Sequence, residues 1–191
     1  MKRDASDKRS RRIVVVSHCI LNVHSLEDDL AIYPGLEEEV IELLIQKGVG
    51  LYQIPCPEIE LSGIFRKALP KDSYDHPKIR KVYRQLADRI ASSLKWYVRK
   101  DYRIEAVLGA EGSPTCGVEL VGKWKEEVKG KREFPRDIEF VPGTGVFIEE
   151  FKSSLAKIKV LPEWIGIPGK SIRSLKPEAF EATLKKLDRL L

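Results

Sequence analysis

A chain of 191 residues, 42% hydrophobic and 33% charged, is long enough to bury one substantial core, and its composition does not shift along its length in a way that would divide it. No apolar run approaches the length of a membrane span and the first residues are charged rather than an apolar signal centre, so the expectation is a soluble, cytoplasmic protein without a membrane partner. The net charge of +5 is concentrated at one end: Lys2, Arg3, Lys8, Arg9, Arg11 and Arg12 stand against only Asp4 and Asp7, which leaves the rest nearly neutral and without the basic stripe of a nucleic-acid binder.

Residues 1–12 therefore read as a disordered basic tail, and residues 13–191 as a single α/β domain. One asparagine, three glutamines and one methionine beside so many charged residues fit a thermophilic source. Three cysteines, an odd number, cannot all pair within one chain.

In chain order, residues 13–17 are an apolar, β-branched run too short for a helix and suited to a strand buried on both faces. A polar loop with Cys19, Asn22 and His24 follows. Leu36, Val40, Leu43 and Leu44 recur at helical spacing, with Glu37, Glu38 and Glu39 in the first turn, where the helix dipole favours acids, and Gly48 at the end. Residues 49–54 form a second strand stopped by Pro55-Cys56-Pro57, and a long loop runs through Glu58, Glu60 and Arg66 to Asp75. Asp75 looks like a cap before His76-Pro77, and Ile79, Val82, Tyr83, Leu86, Ile90, Leu94 and Tyr97 mark one face of a long helix ending near Arg99.

Residues 104–108 give a third strand that runs into the glycine-rich stretch 109–117. Residues 119–142 are strongly charged and resist assignment, with 138–141 a short strand or an edge loop. Gly143-Thr144-Gly145 precedes a helix over 146–156, a fourth strand lies near 164–167, and Pro177 opens a last helix with Phe180, Leu184, Leu187 and Leu191 on one face. Alternation of strand and helix predicts a Rossmann-like three-layer sandwich around a mostly parallel sheet of about four to five strands.

All three cysteines follow strand-like runs, at the sheet edge where such folds bind ligands. Position, rather than number, suggests a shared site. Soft thiolates suit an iron–sulfur cluster, zinc or copper(I), and three ligands leave one iron of a four-iron cluster, or one zinc position, open to substrate. No Cys-x-x-Cys spacing specifies the metal. His18 and His24 flank Cys19, which keeps a Cys3His zinc site open.

The glycines beside Cys116, among them Gly112 and Gly117, let backbone amides approach a cluster or an anion, with Ser113 and Thr115 adding hydroxyls. Glu58 is a candidate general acid or base. The run Gly166-Ile167-Pro168-Gly169-Lys170-Ser171 lacks the first glycine of a phosphate loop, Trp164 standing in its place, and is set aside.

Ser17-x-Cys19, Cys56-Pro57-Glu58 and Ser113-Pro114-Thr115-Cys116-Gly117, in this order and at these separations, resemble the 2-thiouracil desulfidase family and its uncharacterised relatives over about residues 12–156. The resemblance implies a [4Fe–4S] cluster on Cys19, Cys56 and Cys116, lost readily in air, whose fourth iron takes sulfur from a thiocarbonyl substrate. Glu58 and Ser113 then match the groups that move protons or position substrate. Ser17, Asn22, His24, Arg66, Gly112, Thr115 and Gly117 are the accompanying candidates for substrate contact.

The loops after Cys19 and Cys56 depart from the family pattern. Residues 20–25 lack its Arg-Tyr-Asp-Gly-like ending, and Glu60 to Arg66 keeps one glycine and the arginine. The expected activity is thus desulfuration or sulfur transfer on a small molecule, the substrate itself undetermined. A zinc hydrolase and a non-catalytic metal or small-molecule binding module are the alternatives.

Overall fold

A computed structural model describes residues 7–191. In chain order the elements are β1 (Arg12–Val16), α1 (His18–Leu21), a 3-10 turn (Val23–Ser25), α2 (Glu38–Gln46), β2 (Gly50–Gln53), α3 (Pro57–Ser62), α4 (Lys71–Tyr74), α5 (Pro77–Val98) and β3 (Arg103–Glu111). There follow β4 (Leu120–Trp124), β5 (Ile138–Pro142), α6 (Val146–Lys157), β6 (Glu163–Pro168), α7 (Lys170–Leu175) and α8 (Ala179–Leu190).

Four strands form one parallel sheet in the order β2-β1-β3-β6. The β-branched run of β1 dictates its central place, since Val14, Val15 and Val16 are fully buried and only a strand covered on both faces can hide them all. Alternation then sends Val14 and Val16, with Ala106 and Leu108, toward α2 and α8, where Val40, Leu44, Phe180 and Leu187 meet them. Val15 and Val107 face the other way, onto α5 and α6. The result is the expected Rossmann-like three-layer α/β sandwich.

The α5/α6 layer carries the larger of the two apolar clusters. Tyr83, Leu86, Ile90 and Leu94 of α5 pack with Phe147, Phe151 and Leu155 of α6, each side chain contributing about 1.5–3 kcal/mol by leaving water. Phe147 and Phe151 stack at 5.6 Å and Tyr83 meets Phe147 edge-on at 6.3 Å. Among the described residues no helix is long and apolar enough to cross a membrane.

Several sequence expectations need correction. The unassigned charged region forms an antiparallel hairpin, in which residues 138–141 lie within β5 and pair with β4. The long loop after Cys56 carries α3 and α4, and the loop holding Cys19 carries α1 and the 3-10 turn. β3 continues through Gly109, Ala110 and Glu111, so only the second half of the glycine-rich stretch is a turn. The cap of α5 is His76, whose ring nitrogen accepts from the Lys78 amide, while Asp75 pairs with Arg80. Leu36 is exposed and precedes α2, whose N-cap is the buried Glu37.

Of the segment read as a disordered tail, residues 1–6 lie outside the described residues and residues 8–10 are exposed, whereas Arg11 and Arg12 are held against the body. Arg11 donates to the Lys100 carbonyl, and Arg12 opens β1 while binding Glu105 and the Leu191 carbonyl. Charge that looked solvated by composition is used to close the amino-terminal edge of the sheet.

Candidate functional site

Strand order places the three cysteines. Cys19 follows β1, Cys56 follows β2 and Cys116 follows β3, and these strands are neighbours in the sheet with their carboxyl ends on the same edge. All three thiols line one cavity of about 150 Å³, a volume in which a ring the size of benzene fits. None is paired in a disulfide. Among the described residues, no three His, Cys, Asp or Glu side chains stand close enough together to hold a single metal ion.

Each thiol is set by its local chain. Cys19 lies in the single turn of α1, where its carbonyl accepts from the Tyr33 hydroxyl at 3.2 Å. Cys56 is the N-cap of α3, with Pro57 preorganised at the first helical position. Cys116 sits in a turn folded back on β3: the Ala110 amide donates to the Cys116 carbonyl at 2.9 Å, and the Ser113 hydroxyl accepts from the Cys116 and Thr115 amides at 3.0 and 3.3 Å.

The start of α6 clamps that turn from outside. Its Val146 and Ile148 amides donate to the carbonyls of Pro114 and Thr115 at 3.0 and 3.1 Å. Gly145 permits this approach, because a Cβ there would collide with the Thr115 carbonyl.

Burial sets the electrostatics. It pushes the Cys19 thiol up to about 12, helped by Cys56 and Glu58. The same desolvation raises Cys56 and Cys116, and for Cys116 the other two cysteines add to it. The three sulfurs thus repel one another's charge, and without a cation among them they stay protonated.

Glu58 lies on α3 in the cavity wall, 6% exposed, and burial followed by the neighbouring Glu27 carboxylate raises it to about 8. Thr115 donates to one of its oxygens at 2.8 Å and Tyr74 to the other at 3.1 Å. Arg66, also buried, bridges Glu27 at 3.0 Å and Glu58 at 3.5 Å, donates to the Ser25 carbonyl at 2.7 Å and reaches to 3.9 Å of the Cys56 sulfur. One guanidinium between two carboxyls balances one negative charge, so the Glu27–Glu58 pair keeps one proton at neutral pH, and burial favours Glu58 as its holder.

Of the residues singled out in the sequence, Cys19, Cys56, Cys116, Glu58, Ser113, Thr115, Gly112 and Arg66 line the cavity. Ser17, Asn22, His24 and Gly117 do not. Asn22 caps the 3-10 turn by accepting from the His24 amide at 3.2 Å, and the His24 side chain is exposed. His18 also stays off the cavity wall, with its ring beside Gln53 at 3.2 Å. Gly117 is a packing glycine, since a Cβ there would run into the Leu120 carbonyl.

Sequence reading missed Glu27, Tyr33, Glu37 and Glu111, all on the wall, and Tyr74, which orients Glu58 from behind. It also set aside Lys170 and Ser171, which reach the wall from the start of α7. That near-motif was a usable signal for proximity, though not for a phosphate loop.

No family model and no solved structure matches the chain. Over 160 residues, 84% of this chain and 88% of the relative, it is 28% identical to the uncharacterized protein MJ0003 of Methanocaldococcus jannaschii.

Proposed function

We propose that this protein is a cytoplasmic iron–sulfur enzyme that removes or transfers sulfur from a small thiocarbonyl-type molecule, with Cys19, Cys56 and Cys116 as ligands of a [4Fe–4S] cluster. The observation that carries this reading is the convergence of all three cysteines on one cavity whose wall also holds the buried Glu58. The donor set suits such a group: three soft, unpaired thiols whose ionisation burial opposes and a cluster's iron would favour. When bound on three thiolates, a cluster supplies an iron free of protein ligands, a Lewis acid toward sulfur.

A single zinc fits less well. Its thiolates would stand about 3.8 Å apart, the edge of a tetrahedron with bonds of about 2.3 Å, whereas each thiolate of a cluster binds a different iron and needs wider spacing. His24, the histidine the sequence offered as a fourth zinc ligand, is exposed and off the cavity wall.

The chain's own residues supply the rest. The overall exchange, thiocarbonyl plus water giving carbonyl plus hydrogen sulfide, breaks the carbon–sulfur bond and forms the carbon–oxygen bond without net oxidation. Both protons of water end on sulfur. Glu58 is the group to carry them: it holds a proton at neutral pH, faces the cavity, and is fixed at both oxygens by Thr115 and Tyr74. Ser113 braces the Cys116 turn by accepting two amides, and its hydroxyl on the wall is the nearest substrate contact. Ile20, Ile167 and Phe140 give the wall an apolar portion against which a small organic molecule could pack.

Anaerobic purification followed by iron, zinc and acid-labile sulfide analysis tests the proposal. Iron and sulfide in about equal amounts are expected for the native chain, and their loss in Cys116→Ala, because two thiolates hold a cluster poorly. Stoichiometric zinc without iron would replace the cluster by a zinc site. A loaded protein that releases no sulfide from thiocarbonyl compounds would leave a non-catalytic centre.

A further inference from the structure

One side of the three-thiol cavity is walled by a loop that the rest of the molecule holds lightly. Residues 26–36 run from the 3-10 turn to the start of α2 and put Leu26, Glu27, Leu30, Ile32 and Tyr33 on the wall. The ends are drawn together, with the Val23 amide donating to the Gly35 carbonyl at 2.7 Å and the Glu37 amide to the Ile20 carbonyl at 2.9 Å. A span of this length with joined ends is an Ω-loop.

Its apolar side chains do not anchor it. Leu26, Leu30, Ile32 and Tyr33 belong to neither of the apolar clusters that flank the sheet, and Ile32 is 41% exposed. Between the ends, polar ties to the body are made by single side chains. Arg66 pairs with Glu27 at 3.0 Å, the Tyr33 hydroxyl donates to the Cys19 carbonyl at 3.2 Å, and Lys170 Nζ donates to the Asp29 carbonyl at 2.6 Å. Lys170 and Leu30 line both the cavity and the adjoining groove of about 1220 Å³, so the Lys170 bond stands where the cavity meets solvent.

The two basic residues of α7 that reach this loop differ in how firmly they are held. Arg173 pairs with the buried Glu37 at the loop's far end, donates to the Pro168 carbonyl at 2.7 Å and lies over the Phe180 ring. Lys170 is exposed, a point charge on a flexible stem. We propose that residues 26–36 are a hinged cover over the thiols and that Lys170 is its clasp. Release of the Asp29 carbonyl lets the loop swing about its joined ends and opens a way from the groove to Cys19, Cys56 and Cys116. A segment with few buried apolar contacts opens at a fraction of the cost of global unfolding, and its return shields the thiols from water. The inference concerns access to the cavity and stands apart from what the thiols bind.

Thiol labelling of the metal-free native chain and of Lys170→Met tests this, read by mass spectrometry at Cys116, whose turn is braced by Ser113 and the start of α6 rather than by Lys170. Methionine keeps an apolar stem and drops the donor. The variant should label about fivefold faster with N-ethylmaleimide, the factor that one hydrogen bond of ordinary net strength supplies, while its urea midpoint stays native. A bulky maleimide should gain by the same factor, because both reagents wait for the same opening. Tyr33→Phe, which frees a second tie, should also label faster, whereas Lys185→Met, on the exposed face of α8, should label at the native rate. Native rates in both Lys170→Met and Tyr33→Phe would overturn the inference. So would a gain matched by an equal loss of global stability, a gain confined to the small reagent, which would mean a mouth already open, or the same gain in Lys185→Met.

Discussion

Glu58 illustrates how one side chain acquires its chemistry from neighbours distant in sequence. On α3 it would be an ordinary first-turn acid; in place it is desolvated, faces the Glu27 carboxylate and receives hydroxyls from Thr115 and Tyr74. Glu58→Gln keeps the shape and the two accepted bonds at one oxygen only, and removes the transferable proton. We expect the loaded variant to keep its iron and to lose turnover at least about 100-fold, the usual contribution of a positioned acid, as measured by sulfide release. Unchanged turnover would return Glu58 to a structural role.

At the scale of elements, the junction between α6 and the Cys116 turn and the seam between α5 and α6 hold the site in shape. Gly145→Ala would force the start of α6 off the Thr115 carbonyl; a loss of about 1–3 kcal/mol in a urea titration is expected from such overpacking, with weaker retention of iron. Along the seam, Arg84 and Arg80 bind Glu150 at 2.7 and 3.1 Å. Burial raises the Glu150 carboxyl, yet the hydrogen bonds from Arg84 and Arg80 outweigh it and hold it below its ordinary value of 4.5. A carboxyl lowered in the folded state stabilises above its unfolded value and ceases to do so as pH falls through the folded one. Stability of the native chain should therefore decline on acidification below about pH 4.5, and the decline should be shallower in Glu150→Gln. The variant should already lose about 1–2 kcal/mol at pH 7 by leaving the guanidinium groups underpaired. A denaturant midpoint series from pH 7 to 3 measures both.

For the whole molecule, a centre bound as proposed to the loops after three adjacent strands would tie together the carboxyl edge of the sheet. Ligation that occurs only in the folded chain adds its binding free energy to stability, so the loaded protein should melt at least about 5 °C above the metal-free form. The Cys116→Ala variant should show no such rise. Sequence alone determined much of this framework. The Val14–Val16 run and the Tyr83, Leu86, Ile90 and Leu94 face of α5 are local patterns of burial, which local periodicity displays directly, whereas Val82 and Tyr97, expected on that face, are exposed. It also put the three cysteines at strand ends. What only the tertiary structure decided is which side chains share the cavity with them. The order β2-β1-β3 brings the three loops side by side; the hairpin of β4 and β5 and the α7 start supply wall residues; and Arg66, Glu27 and Tyr74 converge on Glu58 from three separate segments. Asn22 and His24, adjacent to Cys19 in sequence, turn away because the 3-10 turn uses Asn22 as its cap. Proximity along the chain is a matter of bonds, whereas proximity at the site follows from how strands are ordered and layers packed, and the raised proton affinity of Glu58 exists only once that packing has removed water.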